Sequence, residues 1–406
     1  MSSPPRIPVN ALDVEKYVFL ERDMILIFWL YLSHRRLEKQ LITASPTRLH
    51  GTSLPLMQRR LRTMEVEASC GYVVGWLMAN LPGQADSLAQ LVVRCHDLDR
   101  VNAMGHIDAN IVARPMVSAP WNSGFTAPNL HKVTTFAHPG LPVTLASYNN
   151  VRSLTINFPN ELVFVDPSHL LCVLALFPDL THLHIDGAGA PAYDLQLPLI
   201  LAPHRSFSLR SLEQLTLRGI YRELLIHFIT HARFPVLVRL ELSHLPHFHA
   251  LPRVFAYLDQ SAVAPRLQTL CLRQLGPGVF LAVLPHLTFC RHLLLREASA
   301  LDSTQMGMLN APHGLTGTWF CPKLAVLEVA EAPLVTVETW RSVVRGRNEL
   351  PANREHVKPL QVLTVFHESR LRAMDVAYFS AQVPVFNWTI PRREQESRLS
   401  ATLVAQ

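Results

Sequence analysis

The sequence predicts an α/β repeat array, in which each repeat adds one strand to a parallel sheet and returns through a connection on the sheet's other side. Three observations carry that prediction. A short phrase, an apolar residue followed by apolar residues three and five places on, recurs eleven times between residues 61 and 365. Proline stands two places before the phrase in five copies, at Pro128, Pro178, Pro235, Pro265 and Pro322. Between copies, the longer stretches show helical apolar spacing.

Six copies are clean: Leu180-x-x-Leu183-x-Ile185, Leu212-x-x-Leu215-x-Leu217, Leu237-x-x-Leu240-x-Leu242, Leu267-x-x-Leu270-x-Leu272, Leu324-x-x-Leu327-x-Val329 and Leu360-x-x-Leu363-x-Val365. Looser copies are Leu61-x-x-Met64-x-Val66, Leu88-x-x-Leu91-x-Val93, Val151-x-x-Leu154-x-Ile156 and Cys290-x-x-Leu293-x-Leu295, and the weakest is Leu130-x-x-Val133-x-Thr135. The interval between first positions runs from 21 residues (130 to 151) to 42 (88 to 130), which marks an irregular array with loop insertions. A proline just before the phrase ends the preceding helix and costs the strand no ladder hydrogen bond. Helices are expected from a cap at Ser168 over 169–177, and over 222–234, 251–259 and 336–344.

The phrase and its spacing resemble leucine-rich repeats over about three quarters of the chain. The resemblance implies an α/β, irregular leucine-rich-repeat solenoid of about ten or eleven units over 55–370. Its parallel sheet would line the concave face and its helices the convex face. Residues 1–54 form a small N-terminal helical region, and 371–406 a C-terminal cap, with 376–390 closing the last repeat and 392–406 a solvated tail.

Composition narrows the function. Nearly half of the 406 residues are hydrophobic (49%) and only 17% are charged, so most of the chain folds. The apolar run 24–32 is about half the length a membrane span needs, and Glu15, Glu21, Arg22 and Asp23 before it do not fit a signal peptide. No membrane partner is expected. Cys70, Cys95, Cys172, Cys271, Cys290 and Cys321 have no paired spacing, which fits free thiols in a cytoplasmic or nuclear setting. Arg22 to Arg62 holds eight basic residues (Arg22, Arg35, Arg36, Lys39, Arg48, Arg59, Arg60, Arg62) against Asp23 and Glu38, a surplus equal to the chain's whole net charge of +6. Phosphate binding would use such a cluster, but no aromatic residues interleave for base stacking, so a solvated basic face is favoured over nucleic-acid binding.

Ahead of the array, Ile7-Pro8 leads through Leu12 and Tyr17-Val18-Phe19-Leu20 to Asp23-Met24-Ile25-Leu26, then Leu32-Ser33-His34-Arg35-Arg36-Leu37. A proline-led first helix, a middle helix opened by an acidic residue, and serine with paired arginines resemble a degenerate F-box. The array resembles the repeats of fungal F-box proteins. Val9-Asn10-Ala11 stands where that motif carries an acidic residue. The resemblance implies that Leu12, Leu26, Phe28 and Leu32 pack against the adaptor subunit of an SCF-type cullin-RING ubiquitin ligase, with the array holding the substrate. The other reading of the same residues is an apolar cap on the first repeat of an interaction scaffold without ligase association.

Strand alternation turns the phrase into a surface map, since its fourth and sixth positions point inward and the third, fifth and seventh point out. Arg218, Arg239, Arg273 and Arg296 then form a basic band with His182, His184 and His292 nearby. An apolar end follows at Val326, Ala330, Val362 and Phe366. This face suits a protein segment with acidic or phosphorylated residues beside hydrophobic ones, because arginine forks grip carboxylate and phosphate. The bland reading pairs the arginines with Glu241 and Glu297. His244-x-x-His247-x-His249 is broken by Pro246 and reads as a loop, and His182-x-His184 lacks a third ligand, so no metal is expected. Asp186-Gly187-Ala188-Gly189-Ala190 lacks the third glycine and partner acid of a nucleotide loop. Arg273 is expected to lower the pKa of Cys271, but no base is placed beside it. The expectation is a non-catalytic recognition protein without cofactor or homo-oligomer.

Overall fold

The computed structural model describes residues 25–30, 62–68, 85–95, 127–136, 150–158, 170–171, 174, 177–187, 207–220, 222–244, 251–260, 266–276, 278–312, 317–349, 357–366 and 371–389. They belong to two compact units, Met1–Leu180 and Thr181–Gln406. Leu12, Leu32, His247, His249 and Cys172 lie outside the described residues, as do the basic residues of the segment before Arg62 and the tail from 390.

In the first unit the phrases at 61, 88, 130 and 151 become strands β2 (Thr63–Ala68), β3 (Gln90–Cys95), β4 (Lys132–Phe136) and β5 (Ser153–Phe158). Each begins two residues after the phrase's first position. All pair in parallel in chain order, β2 with β3, β3 with β4 and β4 with β5. Even the weakest copy obeys, with Val133 and Thr135 both buried. Asparagines tie successive turns: Asn129 Nδ2 donates to Asp86 O at 2.5 Å and Asn150 Nδ2 to Pro128 O at 2.6 Å. Where a helix is expected after Ser168, Leu170, Leu171 and Leu174 are helical and buried.

One expectation is corrected here. Ile25–Leu30, read from sequence within a middle helix, is strand β1, parallel to β2 with Leu26 opposite Met64 and Phe28 opposite Val66. The register reveals a further copy of the phrase, with Asp23 at the first position and Leu26 and Phe28 at the fourth and sixth. Ile25, Ile27, Phe28 and Trp29 are β-branched or aromatic residues that fit a pleated surface better than a helix.

In the second unit the remaining seven phrases give β6 (His182–Gly187), β8 (Gln214–Arg218), β10 (Arg239–Ser243), β11 (Thr269–Arg273), β12 (His292–Arg296), β13 (Val326–Ala330) and β14 (Val362–Phe366). An eighth strand, β15 (Val385–Thr389), pairs parallel with β14, Leu363 opposite Phe386 and Val365 opposite Trp388. Val383-x-x-Phe386-x-Trp388 is therefore another copy in aromatic form. The segment expected to cap the array supplies a helix and a strand at its edge. Two-residue strands β7 (Phe207–Ser208) and β9 (Ala232–Arg233) pair with each other apart from this sheet.

The repeat has more internal structure than the phrase alone. A buried residue stands three places before the first position, as Phe234 before Leu237 and Leu287 before Cys290. A β-turn joins the two, with Leu237 N–H donating to Phe234 O (3.2 Å) and Leu324 N–H to Cys321 O (3.0 Å). The prolines occupy the second place of that turn, where a fixed φ is favourable. Inward side chains such as Leu215, Leu240, Leu270, Leu293, Leu327 and Leu363 are completely buried, each worth roughly 1.5–3 kcal/mol against exposure. Connections between parallel neighbours must cover one face of the sheet, and these residues mark which face it is.

Each of five consecutive strands leaves the sheet through a residue of left-handed conformation at the phrase's eighth place: Gly219, His244, Gln274, Glu297 and Glu331. Three of them keep the ladder going by donating to the next strand, Gly219 to Ser243 O, Gln274 to Arg296 O and Glu331 to Phe366 O, at 2.9, 3.1 and 3.2 Å. The connections carry helices α1 (Arg222–His231), α2 (Leu251–Gln260), α3 (Val279–Val283), α4 (Ser303–Gly307), α5 (Val337–Val344) and α6 (Ala373–Gln382). Thr336 caps α5 by accepting from Thr339 N at 3.3 Å. α5 runs on into a π-helical turn, Arg345–Glu349. There Arg347 is fully buried and donates to the carbonyls of Leu309, Phe320, Cys321 and Leu324. Asn348 reaches the other way, donating to Leu360 O (2.9 Å) and Gln382 O (2.8 Å) and accepting from Leu360 N (2.9 Å).

Candidate functional site

The open face of the second unit is set out by strand register alone. Three rows of outward side chains run across it. The first is His182, Gln214, Arg239, Thr269, His292, Val326, Val362 and Val385, and the second His184, Thr216, Glu241, Cys271, Leu294, Glu328, Thr364 and Asn387. The third starts with Asp186, Arg218, Ser243, Arg273 and Arg296, and continues along the same register through Ala330, Phe366 and Thr389. All eight residues assigned to partner binding from sequence, His182, His184, Arg218, Arg239, Arg273, His292, Arg296 and Phe366, stand on this face.

The basic band is less free than the sequence suggests. Glu241, with its side chain only 13% exposed, sits between Arg239 (3.2 Å) and Arg273 (2.8 Å). Arg218 Nε lies 3.7 Å from Asp186, which also has His184 Nε2 at 3.9 Å, and His292 Nε2 meets Glu328 at 3.2 Å. The pairing with Glu241 that the bland reading anticipates is therefore present, whereas Glu297 takes a hydrogen bond from Gln274 (2.6 Å). His182 stands exposed with Nδ1 2.8 Å from the Thr181 hydroxyl. Arg296 alone of the four arginines has no carboxylate within ion-pair distance among the described residues. Arg273 Nε is buried beside Glu241 but is not aimed at it, so that contact is Coulombic and the N–H has no acceptor.

The floor between these arginines is apolar. Cys271 and Leu294 face outward yet are buried beneath their neighbours. Burial pushes the Cys271 thiol pKa up, Glu241 adds to the rise, and Arg273 and Arg296 offset only part of it. The expectation that Arg273 activates this thiol is thus corrected: desolvation outweighs the cation. Beyond Arg296 the face turns hydrophobic, with Val385 and Phe366 exposed.

No cation-binding cluster of three or more His, Cys, Asp or Glu side chains occurs among the described residues. His244, the described member of the histidine cluster, occupies the left-handed turn, and its Nδ1 is buried without a partner. Cys271, Cys290 and Cys321 are free and buried. No described helix is long and apolar enough to cross a membrane.

No protein-family model matches the sequence. No curated protein matches it either. Among solved structures the chain is similar to the leucine-rich repeat-containing protein LegL7 from Legionella pneumophila, with TM-score 0.42 and 12% identity over 79% of this chain and 98% of that one. The repeat assignment stands on the register itself, since every copy of the phrase coincides with one parallel strand. Glu241, Asp186 and Glu328, the carboxylates that organise the face, were open to discovery in the sequence: each occupies an outward place in its own phrase, and aligning the copies sets them beside the arginines and histidines they engage.

Proposed function

We propose that this chain is a non-catalytic protein-recognition module that binds its target on the open face from β8 to β15, the face that repeat stacking makes concave. The observation that carries the reading is the division of that face into a basic half, where Arg296 has no carboxylate within ion-pair distance among the described residues, and an apolar half with Phe366 and Val385 exposed. A protein segment bearing acidic or phosphorylated residues beside hydrophobic ones complements both halves. The test is to compare partner capture by the parent chain with capture by Arg296→Glu and Phe366→Asp. Both changes lie at partly open positions, so folding is expected to survive while binding is lost. Partners retained by both folded variants would refute the reading.

The finer reading, a substrate receptor of an SCF-type ubiquitin ligase, would use the same face for its substrate. Of its adaptor contacts, Leu26 and Phe28 belong to β1, whose pairing with β2 supports the scaffold reading in which these residues begin the array. Co-purification of the full chain with the ligase adaptor distinguishes the two. Binding abolished by Leu26→Asp with Phe28→Asp in a folded protein favours the receptor, and no binding by the parent leaves the scaffold.

A further inference from the structure

Resting on the reading of the open face as a protein-binding surface, we infer that the notch between Arg273 and Arg296 receives a doubly charged phosphate carried by an extended partner segment. An apolar side chain about four residues further along that segment then seats against Phe366. Two guanidinium forks side by side favour phosphate over carboxylate, because its oxygens can serve both. Glu241 engages Arg239 and Arg273, and Glu297 adds its field at Arg273, whereas Arg296 has no carboxylate within ion-pair distance among the described residues. Glu328 is engaged by His292 and Glu297 by Gln274, so neither closes an ion pair with Arg296.

The geometry is that of a prepared anion site. Arg273 and Arg296 are direct register neighbours on adjacent parallel strands, an arrangement in which like charges repel unless an anion lies between them. Buried Cys271 and Leu294 beneath the notch exclude water, and a charge-assisted hydrogen bond gains strength in such surroundings.

The spacing follows from the sheet. From midway between β11 and β12 to β14 is two and a half strand intervals, roughly 12 Å at ~4.8 Å each. An extended segment at about 3.3 Å per residue covers that in about four residues, and alternation returns the fourth side chain to the same side as the phosphate. Arg218 is excluded from the notch because Ser243 intervenes in the row and Asp186 engages it.

The experiment uses the full chain and fluorescein-labelled peptide pools in an anisotropy titration. Each pool has a fixed phosphoserine, degenerate flanks without Asp, Glu or Cys, and leucine or phenylalanine at either the fourth or the first following place. Matching pools carry serine or glutamate instead of phosphoserine. The phosphoserine pool with the apolar residue at the fourth place should bind about tenfold tighter than the others, Arg296→Gln should erase that advantage, and Arg218→Gln should leave it. Phe366→Ala should remove the spacing preference while sparing the preference for phosphate. Circular dichroism and a melting curve confirm that each variant is folded. Equal binding by the glutamate pool, indifference to Arg296→Gln, or no binding by any pool overturns the inference. If Arg296→Gln is silent but Phe366→Asp abolishes capture of protein partners, the notch fails while the face remains the binding surface; if both are silent, the functional reading fails with it.

Discussion

Three glycines separate two costs that a single substitution usually mixes. Gly219 has φ +58°, and a Cβ there would run into the carbonyl oxygen of Gly187. Gly187 has ordinary φ, but its added Cβ would lie 2.6 Å from Gly219 O. Gly278 has φ +73° with open space around the missing Cβ. Left-handed strain in a non-glycine residue costs roughly 1–2 kcal/mol. Overpacking against backbone that cannot rotate away costs roughly 1–3 kcal/mol. Replacing glycine restrains the unfolded chain and returns about 0.4–1 kcal/mol. Gly278→Ala should therefore cost about 0.5–1 kcal/mol, Gly187→Ala about 1–2, and Gly219→Ala, bearing both penalties, about 2–4. Chemical denaturation gives the totals. Hydrogen exchange over 214–220 shows whether the loss is local, since Gly219 N–H donates to Ser243 O at 2.9 Å. A Gly219→Ala protein no less stable than Gly278→Ala would refute the close approach of the two glycines.

Other outcomes follow from the same packing. Asn348→Ala removes three hydrogen bonds to Leu360 and Gln382 and should cost about 3 kcal/mol, read as a shift of the denaturation midpoint. Thr336→Ala removes the cap of α5 and should cost about 1 kcal/mol in the same assay. Burial raises the Cys321 pKa from 9.0 to about 12, with Arg347 opposing the rise. The folded state then holds the thiol proton more tightly than the unfolded state, so this contribution is complete below pH 9 and is lost as pH climbs toward 12. Stability measured from pH 8 to 11 should fall, and Cys321→Ala should flatten part of that slope. An unchanged slope would show that the thiol is not desolvated.

The strands were legible because the phrase demands burial at fixed places, and the copies keep that demand even with Thr135 or Cys290 as members. β1 was read as a helix because a nine-residue apolar run has no period to decide between helix and strand, and Asp23 hid the first position of its phrase. β15 was missed because aromatic Phe386 and Trp388 replace the aliphatic pair. On the open face, alternation identified the outward residues from β6 to β14, but pairing depends on which places on neighbouring strands lie side by side. Hence the basic band and its pairing with Glu241 were visible, while the engagement of Arg218 by Asp186 and of His292 by Glu328 was not. Arg347 and Asn348 gave no sign at all: Arg345-Gly346-Arg347-Asn348-Glu349 reads as a solvated polar stretch, and only the π-helical turn sends two of its side chains inward.

That pair of adjacent residues bears on how the chain comes apart. An array held only by contacts between successive repeats is free to peel from its end, one unit after another. Arg347 grips the carbonyls of the unit before its own, and Asn348 those of the unit after. Melting the last helix alone would strand the Asn348 amide, and melting back past it would strand a buried guanidinium. Fraying from this side therefore has no inexpensive first step, and the final three repeats should open together or not at all.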